Sequence, residues 1–531
     1  MTPPVLAVAP ESALAARQRL WSALGAAYGV RVEPARRDGA PPAGLVSLSP
    51  GAGAWLIGTV PSVVVDPADG RADGVEIRLG PSLGAPLGGR LLPDVRAEGQ
   101  PPARRMPGDR VLATRGGIAV WTRREGSRAP SDAVSIVPDE LPLGGALRDQ
   151  LRPGRVAGLL PVVELLRRVT AGDGWERPPL RAAFLVDDPN LHSARYGYLD
   201  FPALAAHARE RGYHAVMATV PMDSWFVAPR AARVFRDNPG QLSLVVHGVD
   251  HAERELERID EDGAATAAIT RCLKGVASLE RRSGVPVGRV MVPPHNAVGP
   301  AITRALAHAG FDALCQVDGR GRGATPELDG WGIADLAPGG LPVITRLQLP
   351  SRSDGSDAAG MAGVAPELIL NAYLGRPLVL YGHHYDASPD LAPLARAAAF
   401  VDELGPVTWG SLPRLAETNF SSRLGDGVLR VRPGSRRLRL TVPDGARALV
   451  VHPEDVSQGE TIVVGSRRCE PGAALPVSPG EVEVRLERSR PGPAPARRAG
   501  RRRAGSVVRR VASESRDRLI PSRDRLAGGP A

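Results

Sequence analysis

Two adjacent carboxylates, Asp187 and Asp188, close the apolar run Ala182-Ala183-Phe184-Leu185-Val186, and two histidines four residues apart follow at His247 and His251. One aspartate and two neutral imidazoles can hold a divalent cation and leave positions for water and substrate. The other aspartate is then free to act as a base. A second polar pair, His383-His384, follows Pro377 to Gly382, and Pro293-Pro294-His295 follows Val290 to Val292. An imidazole near neutral pH is suited to protonating a leaving group. Asp187-Asp188 could simply cap a helix or begin a turn, since Pro189-Asn190 comes next. Two carboxylates at the end of a buried strand, however, cost desolvation and mutual repulsion unless a cation compensates them.

The elements that must carry these residues are legible as a rhythm. Apolar runs at Ala182 to Val186, Ala215 to Val220, Leu242 to Val246, Val290 to Val292, Ala313 to Val317, Val343 to Leu349, Leu378 to Tyr381 and Val407 to Trp409 alternate with helical patterns. The helices are expected at Phe201 to Arg211, Ala264 to Arg282, Pro300 to Ala309, Pro366 to Leu374 and Leu391 to Leu404. Parallel strands joined by crossover helices are implied, and seven or eight of them suit a barrel. Asp187-Asp188, Asp223, His247, His295 and His383-His384 each fall just after a strand, so they would converge on the one barrel face where active sites form. The spacing of His247 and His251 lets both imidazoles point one way if the second lies in an opening helical turn.

Flanking this α/β barrel, expected over residues 176–420, are three other segments. Residues 1–175 read as a mixed or β-rich domain: a helix from Ser12 to Tyr28, strands at Ala54 to Val60, Ser62 to Val65, Val111 to Ala113 and Ile118 to Trp121, and a helix from Val156 to Val169. Residues 421–490 carry short alternating runs separated by Pro-Gly and Asp-Gly turns, the pattern of a small antiparallel β-sandwich. Residues 491–531 form an Arg-rich tail expected to be disordered.

The formal net charge of +10 on 531 residues is concentrated in that tail. Eleven arginines against three acids there give +8, so the rest of the chain is close to neutral. Lys274 is the one lysine. The tail could contact an anionic surface, but it lacks aromatic residues for base stacking. Cys272, Cys315 and Cys469 are too scattered for a disulfide framework or a zinc ribbon. The first twenty residues have no basic segment leading into an apolar one, and no stretch reaches transmembrane length, so a cytoplasmic protein is expected.

Four segments in order, Phe184-Leu185-Val186-Asp187-Asp188, His247-Gly248-Val249-Asp250-His251, Val292-Pro293-Pro294-His295-Asn296 and Leu380-Tyr381-Gly382-His383, resemble the motifs of the polysaccharide deacetylase family, also called NodB-homology or carbohydrate esterase family 4. The resemblance spans roughly Arg181 to Asn419. It implies a distorted (β/α) barrel with a divalent metal, commonly zinc, that removes N- or O-acetyl groups from sugars. By resemblance, Asp187 is the base and Asp188, His247 and His251 are the metal ligands. His383, or failing that His384, protonates the leaving group, and the backbone N–H of His295 helps bind the oxyanion. The implied substrate is a carbohydrate or a small amide, and in a cytoplasmic setting a sugar precursor or glycoconjugate intermediate.

The motifs also depart from that pattern. Pro189-Asn190 replaces the usual Gly after the aspartates, and Gly248 replaces Ser or Thr after the first histidine. Val292 stands where the third motif has an Arg that orients the base, with Arg289 three residues earlier, and His295 takes the aromatic position. The fourth motif has counterparts only around Trp331 and Asp335. Loss of the orienting Arg leaves a second reading open, a catalytically silent barrel that binds a glycan or a protein. Tyr196, Tyr198, Trp225 and Phe226 could stack on a sugar or pack the rim.

Overall fold

The computed structural model describes residues 3–126, 128–171, 174–317, 328, 330–331, 335–350, 360–387, 390–452 and 460–488. The Arg-rich tail lies outside the described residues, as does the junction at 489–490. The chain forms two compact units. One is built on residues 1–175 and takes in the helix Ala365–Leu374; the other begins at residue 176 and holds most of the remaining chain.

The central element of the second unit is a closed parallel barrel. Its strands are β1 (Leu180–Asp187), β2 (Ala215–Thr219), β3 (Leu242–His247), β4 (Val287–Val292), β5 (Ala313–Gln316), β6 (Leu341–Gln348) and β7 (Leu378–Gly382). They pair in the order β2-β3-β4-β5-β6-β7-β1, and β1 pairs back with β2. An eighth strand, β8 (Val407–Trp409), joins β1 at Leu180 to Ala182, below the point where β1 meets β2 at Phe184. One strand thus serves two neighbours on the same edge, and the barrel is distorted at that seam. Strands buried on both faces read as near-continuous apolar runs, and all eight runs in the sequence are strands. The helices Phe201–Arg211, Pro229–Asp237, Asp262–Ser283, Pro300–His308 and Ala392–Asp402 lie between them.

Side chains alternate along each strand, so every second residue enters the barrel. The interior cluster contains Ala183 and Leu185 of β1, Val216 and Ala218 of β2, Val245 of β3, Val290 and Val292 of β4, Cys315 of β5, Ile344 of β6 and Val379 of β7. Leu412, Leu415 and Ala416, from the helix Leu412–Glu417, pack against the same cluster. Two residues further along, the same inward rows reach Asp187, His247, Arg346 and Tyr381 at the carboxyl ends of the strands.

The β-sandwich after residue 420 consists of two four-stranded sheets that share one apolar core, with Leu429, Val431 and Leu449 from one sheet and Leu438, Leu440, Ile462 and Val484 from the other. It is not wholly antiparallel, because Val428–Pro433 and Ala448–Val451 run parallel. Glu417 ties the barrel to the sandwich by facing Arg437 at 3.6 Å and Arg439 at 3.4 Å.

The first unit holds a nine-stranded mixed sheet. Its parallel part has the order Arg31–Pro34, Val5–Ala9, Gly44–Ser47, Ser62–Val65, Ser131–Val134, and the remainder is antiparallel. Two expectations fail here. The helix Ser12 to Tyr28 is broken into Glu11–Ala15 and Gln18–Tyr28 because Arg17 leaves helical space at φ −133°. Ala54 to Val60 is not a strand: Gly53 and Gly58 take φ of +67° and +77°, and Ala54–Leu56 forms a 3-10 turn between them.

A candidate metal centre at the barrel mouth

Asp188, His247 and His251 present one donor atom each within 4.8 Å of one another. Asp188 leaves β1 at φ +80°, a conformation that turns its side chain off the inward row; its backbone N–H still donates to Ala218 O at 3.1 Å. Its Oδ1 stands 3.2 Å from His251 Nε2 and 3.7 Å from His247 Nε2. His247, at the end of β3 and 2% exposed, has Nδ1 2.9 Å from Val292 O. A carbonyl can only accept, so Nδ1 carries the proton and Nε2 keeps its lone pair toward Asp188. Burial holds the His247 imidazole below its ordinary pKa despite nearby Asp187 and Asp188, which leaves it in the neutral form a metal needs. Two imidazole nitrogens and a carboxylate oxygen, converging from three directions, fit a divalent cation with open coordination positions.

The approach of His251 is not helical. Gly248 sits at φ +67° and His251 at φ +54°, and the segment between them is a loop. The convergence read as an opening helical turn therefore has another cause. Glu255 lies beneath this loop; its Oε1 accepts from Val249 N at 2.7 Å and His251 N at 3.1 Å, and its Oε2 from Asp250 N at 3.1 Å. Burial, then Asp250, push the Glu255 carboxyl up to about 8. The glycine at 248 follows from the same packing, since a Cβ there would stand within 2.5 Å of Pro294 Cγ and closer still to Glu255 Oε1.

Asp187 is 4% exposed, and both its oxygens meet a single nitrogen, Arg346 Nη1, at 2.8 and 2.7 Å. Arg346 comes from β6, enters the barrel on the row of Ile344, and stacks its guanidinium 4.1 Å over the ring of Tyr381. Burial disfavours its charge, but Asp187, together with Cys315 and Tyr381, outweighs that and the guanidinium is held above its ordinary pKa. The expectation that no Arg orients this aspartate is corrected: the third segment lacks one, and a later strand supplies it. Arg289 is occupied elsewhere, with Glu280 at 3.1 Å.

The neighbours His383 and His384 part company. His383 continues the inward row of Val379 and Tyr381; its Nδ1 is 3.6 Å from Asp386 Oδ2, and that oxygen accepts the His383 backbone N–H at 2.8 Å. Burial works against a charged His383, but Asp386, Asp187 and Asp188 outweigh it and raise its pKa. His384 is 2% exposed and packs away from that row, edge-on to Tyr196 at 5.5 Å, with its Nδ1 accepting Tyr198 N–H at 3.4 Å. Tyr385 is exposed and stacks on His383 at 5.1 Å.

His295 is exposed at φ +55°, with its ring 5.2 Å from that of His251. Asp335 pairs with Arg376 at 2.8 Å, just before β7 begins and so at the end opposite the mouth, while Trp331 belongs to the first unit and packs on Tyr28 within it. Neither joins the site. Of the four aromatic residues, Tyr196 is fully buried, whereas Trp225 and Phe226 are exposed beside His192, whose Nε2 meets Asp223 O at 2.8 Å. Sequence reasoning missed Arg346, Glu255 and Asp386. For Arg346 the available signal was a lone Arg inside the apolar run Leu341 to Leu347.

No family model matches the chain, and no curated protein matches it. Solved structures that it resembles include a family 4 carbohydrate esterase from Streptomyces lividans in complex with acetate, 15% identical over 44% of this chain and 95% of that one, with a TM-score of 0.28. A putative polysaccharide deacetylase from Mycobacterium smegmatis is 17% identical over 46% and 90%, with a TM-score of 0.33. A family 4 acetyl xylan esterase from Clostridium thermocellum, in complex with a cobalt ion, is 12% identical over 44% and 89%, with a TM-score of 0.26. Motif order, the closed parallel barrel and the residues gathered at its mouth make the central segment similar to the polysaccharide deacetylases of carbohydrate esterase family 4, in a divergent form.

Proposed function

We propose that the barrel is a metal-dependent hydrolase that removes an acetyl group from an N- or O-acetylated carbohydrate or a related amide. The observation that carries this reading is the juxtaposition of the Asp188-His247-His251 donor set with a second aspartate, Asp187, fixed by a buried guanidinium. Asp188, His247 and His251 would hold the cation, with zinc as the expected ion. A divalent cation there supplies Lewis acidity toward an acyl carbonyl and a water molecule.

The chain's own groups divide the proton work. Asp187 takes the proton of the attacking water; with both oxygens on Arg346 Nη1, the carboxylate is held in one orientation throughout. His383, whose neighbouring carboxylates favour its charged form, donates a proton to the departing nitrogen or oxygen. The His295 backbone N–H, on the loop next to His251, is assigned to the oxyanion. Exposed Trp225 and Phe226 offer ring faces to a sugar. The silent barrel drew its support from the missing orienting Arg, and the pairing of Arg346 with Asp187 supports the hydrolase instead.

Purified protein prepared without chelator should carry about one divalent ion per chain, lost in Asp188→Ala and His247→Ala. The metal-loaded protein should release acetate from N-acetylated sugars, and Asp187→Ala should not. A wild type that never takes up stoichiometric metal would overturn the reading. No helix among the described residues is long and apolar enough to cross a membrane.

A further inference from the structure

The two imidazoles of the donor set are held in different ways. His247 belongs to a strand, and its ring is locked by the Val292 carbonyl. His251 lies in a loop and in left-handed backbone, φ +54°, which residues with a side chain seldom adopt. The loop is not helical, so the N–H groups of Val249, Asp250 and His251 lack the acceptors a helix would give them. All three converge on one side chain, Glu255, at 2.7, 3.1 and 3.1 Å. Four residues of chain are thereby folded over a single carboxyl group, and Gly248 and Pro294 close the space around it.

We infer that Glu255 is a positioning residue for the metal centre: by gathering three consecutive backbone N–H groups it holds His251 Nε2 at Asp188 and His247. The inference rests on the metal reading above. Glu255 touches neither substrate nor cation, and its effect passes through the His251 backbone. Removing it frees the loop to leave the left-handed conformation, so the cation keeps two fixed ligands and loses the third. Partners that orient a ligand in this way are typically worth about 10–100-fold in metal affinity.

The test is a Co²⁺ titration of the full-length protein after chelation and dialysis, read by visible absorption and by competition with a chelator. Glu255→Ala should bind Co²⁺ about 10–100-fold more weakly with an altered ligand-field band, while far-UV circular dichroism stays as in wild type. Glu255→Asp keeps the carboxyl group but is one methylene short and should lose affinity in the same direction, which covers the case of an alanine variant that does not fold. Glu255→Gln retains Oε1 for Val249 and His251 and should bind within about threefold of wild type. Folded Glu255→Ala or Glu255→Asp protein with wild-type affinity and an unchanged band would overturn the inference while leaving the metal reading intact. A wild type that binds no Co²⁺ would instead overturn the metal reading itself.

Discussion

Two buried arginines stand at opposite ends of one barrel interior, and they differ in what answers their charge. Arg346, at the mouth, meets the carboxylate of Asp187 at 2.7 Å and is held above its ordinary pKa. Arg181, first in the inward row Arg181-Ala183-Leu185-Asp187, is equally buried, but its hydrogen-bond partners among the described residues are Thr418 O, Asn419 Oδ1 and Gly375 O, at 3.1, 3.0 and 2.8 Å. Burial pulls it down to about 10. The floor of the barrel thus uses a cation as a hydrogen-bond donor that ties β1 to the chain leaving the barrel. At the mouth the cation serves an aspartate. A buried ion pair is a poor source of stability, and a second one, Asp335 with Arg376 at 2.8 Å, lies at the floor, so the pair at the mouth is set apart by the Asp188-His247-His251 donor set beside it.

Replacing the two ends of that row should separate these roles. The largest effect is expected at the mouth, where Asp187→Asn should lower kcat/KM by about 10²–10⁴-fold in acetate-release assays, with the metal still bound. Arg346→Met should lose activity too, and it should lower unfolding free energy by about 3–5 kcal/mol because Asp187 is left buried and unpaired. The double variant Asp187→Asn/Arg346→Met should regain most of that stability and none of the activity, which denaturant titration and kinetics can read side by side. At the floor, Arg181→Met removes three hydrogen bonds from a charged group, about 1.5–3 kcal/mol each, and offsets part of that loss by removing a buried charge, about 3 kcal/mol. Stability should fall by about 1–5 kcal/mol while activity per folded molecule should not change. A large activity loss there would erase the contrast.

Two smaller effects depend on pH. Asp386 is the leading group that raises His383, so Asp386→Asn should move the alkaline limb of the kcat/KM profile to lower pH, since an acid must stay protonated to act. At the floor, Asp312 precedes β5 and burial raises it to about 6. A carboxyl group raised in the folded state contributes fully below its unfolded pKa, near 3.8, and that contribution is lost as pH rises through about 6. Asp312→Asn should therefore be more stable than wild type above pH 6, by about 3 kcal/mol, and the gain should vanish below about pH 4 in thermal unfolding.

The barrel was legible in the sequence because parallel strands buried on both faces have to be apolar runs, and eight such runs fell in order. The Asp-Asp and H-x-x-x-H spacings were legible because both aspartates adjoin a strand end. Arg346 was not, because its partner is 159 residues away in sequence and comes into register only when β6 and β1 are both placed around β7. Glu255 was hidden for a different reason: it acts on backbone N–H groups, which have no sequence signature. The same blindness produced the helical reading of the His247–His251 loop. Gly248 did carry a signal, since a glycine where a hydroxyl residue is usual pointed to a close contact that only the packing of Glu255 and Pro294 explains.

The role proposed for Asp187 is that of a base beside a metal. Acetate release from an N-acetylated sugar by zinc-loaded protein, with Asp187→Asn loaded to the same stoichiometry, tests that most directly. Wild-type turnover with a loss of at least about 100-fold in the variant is the predicted result. Equal rates in the two proteins would contradict it.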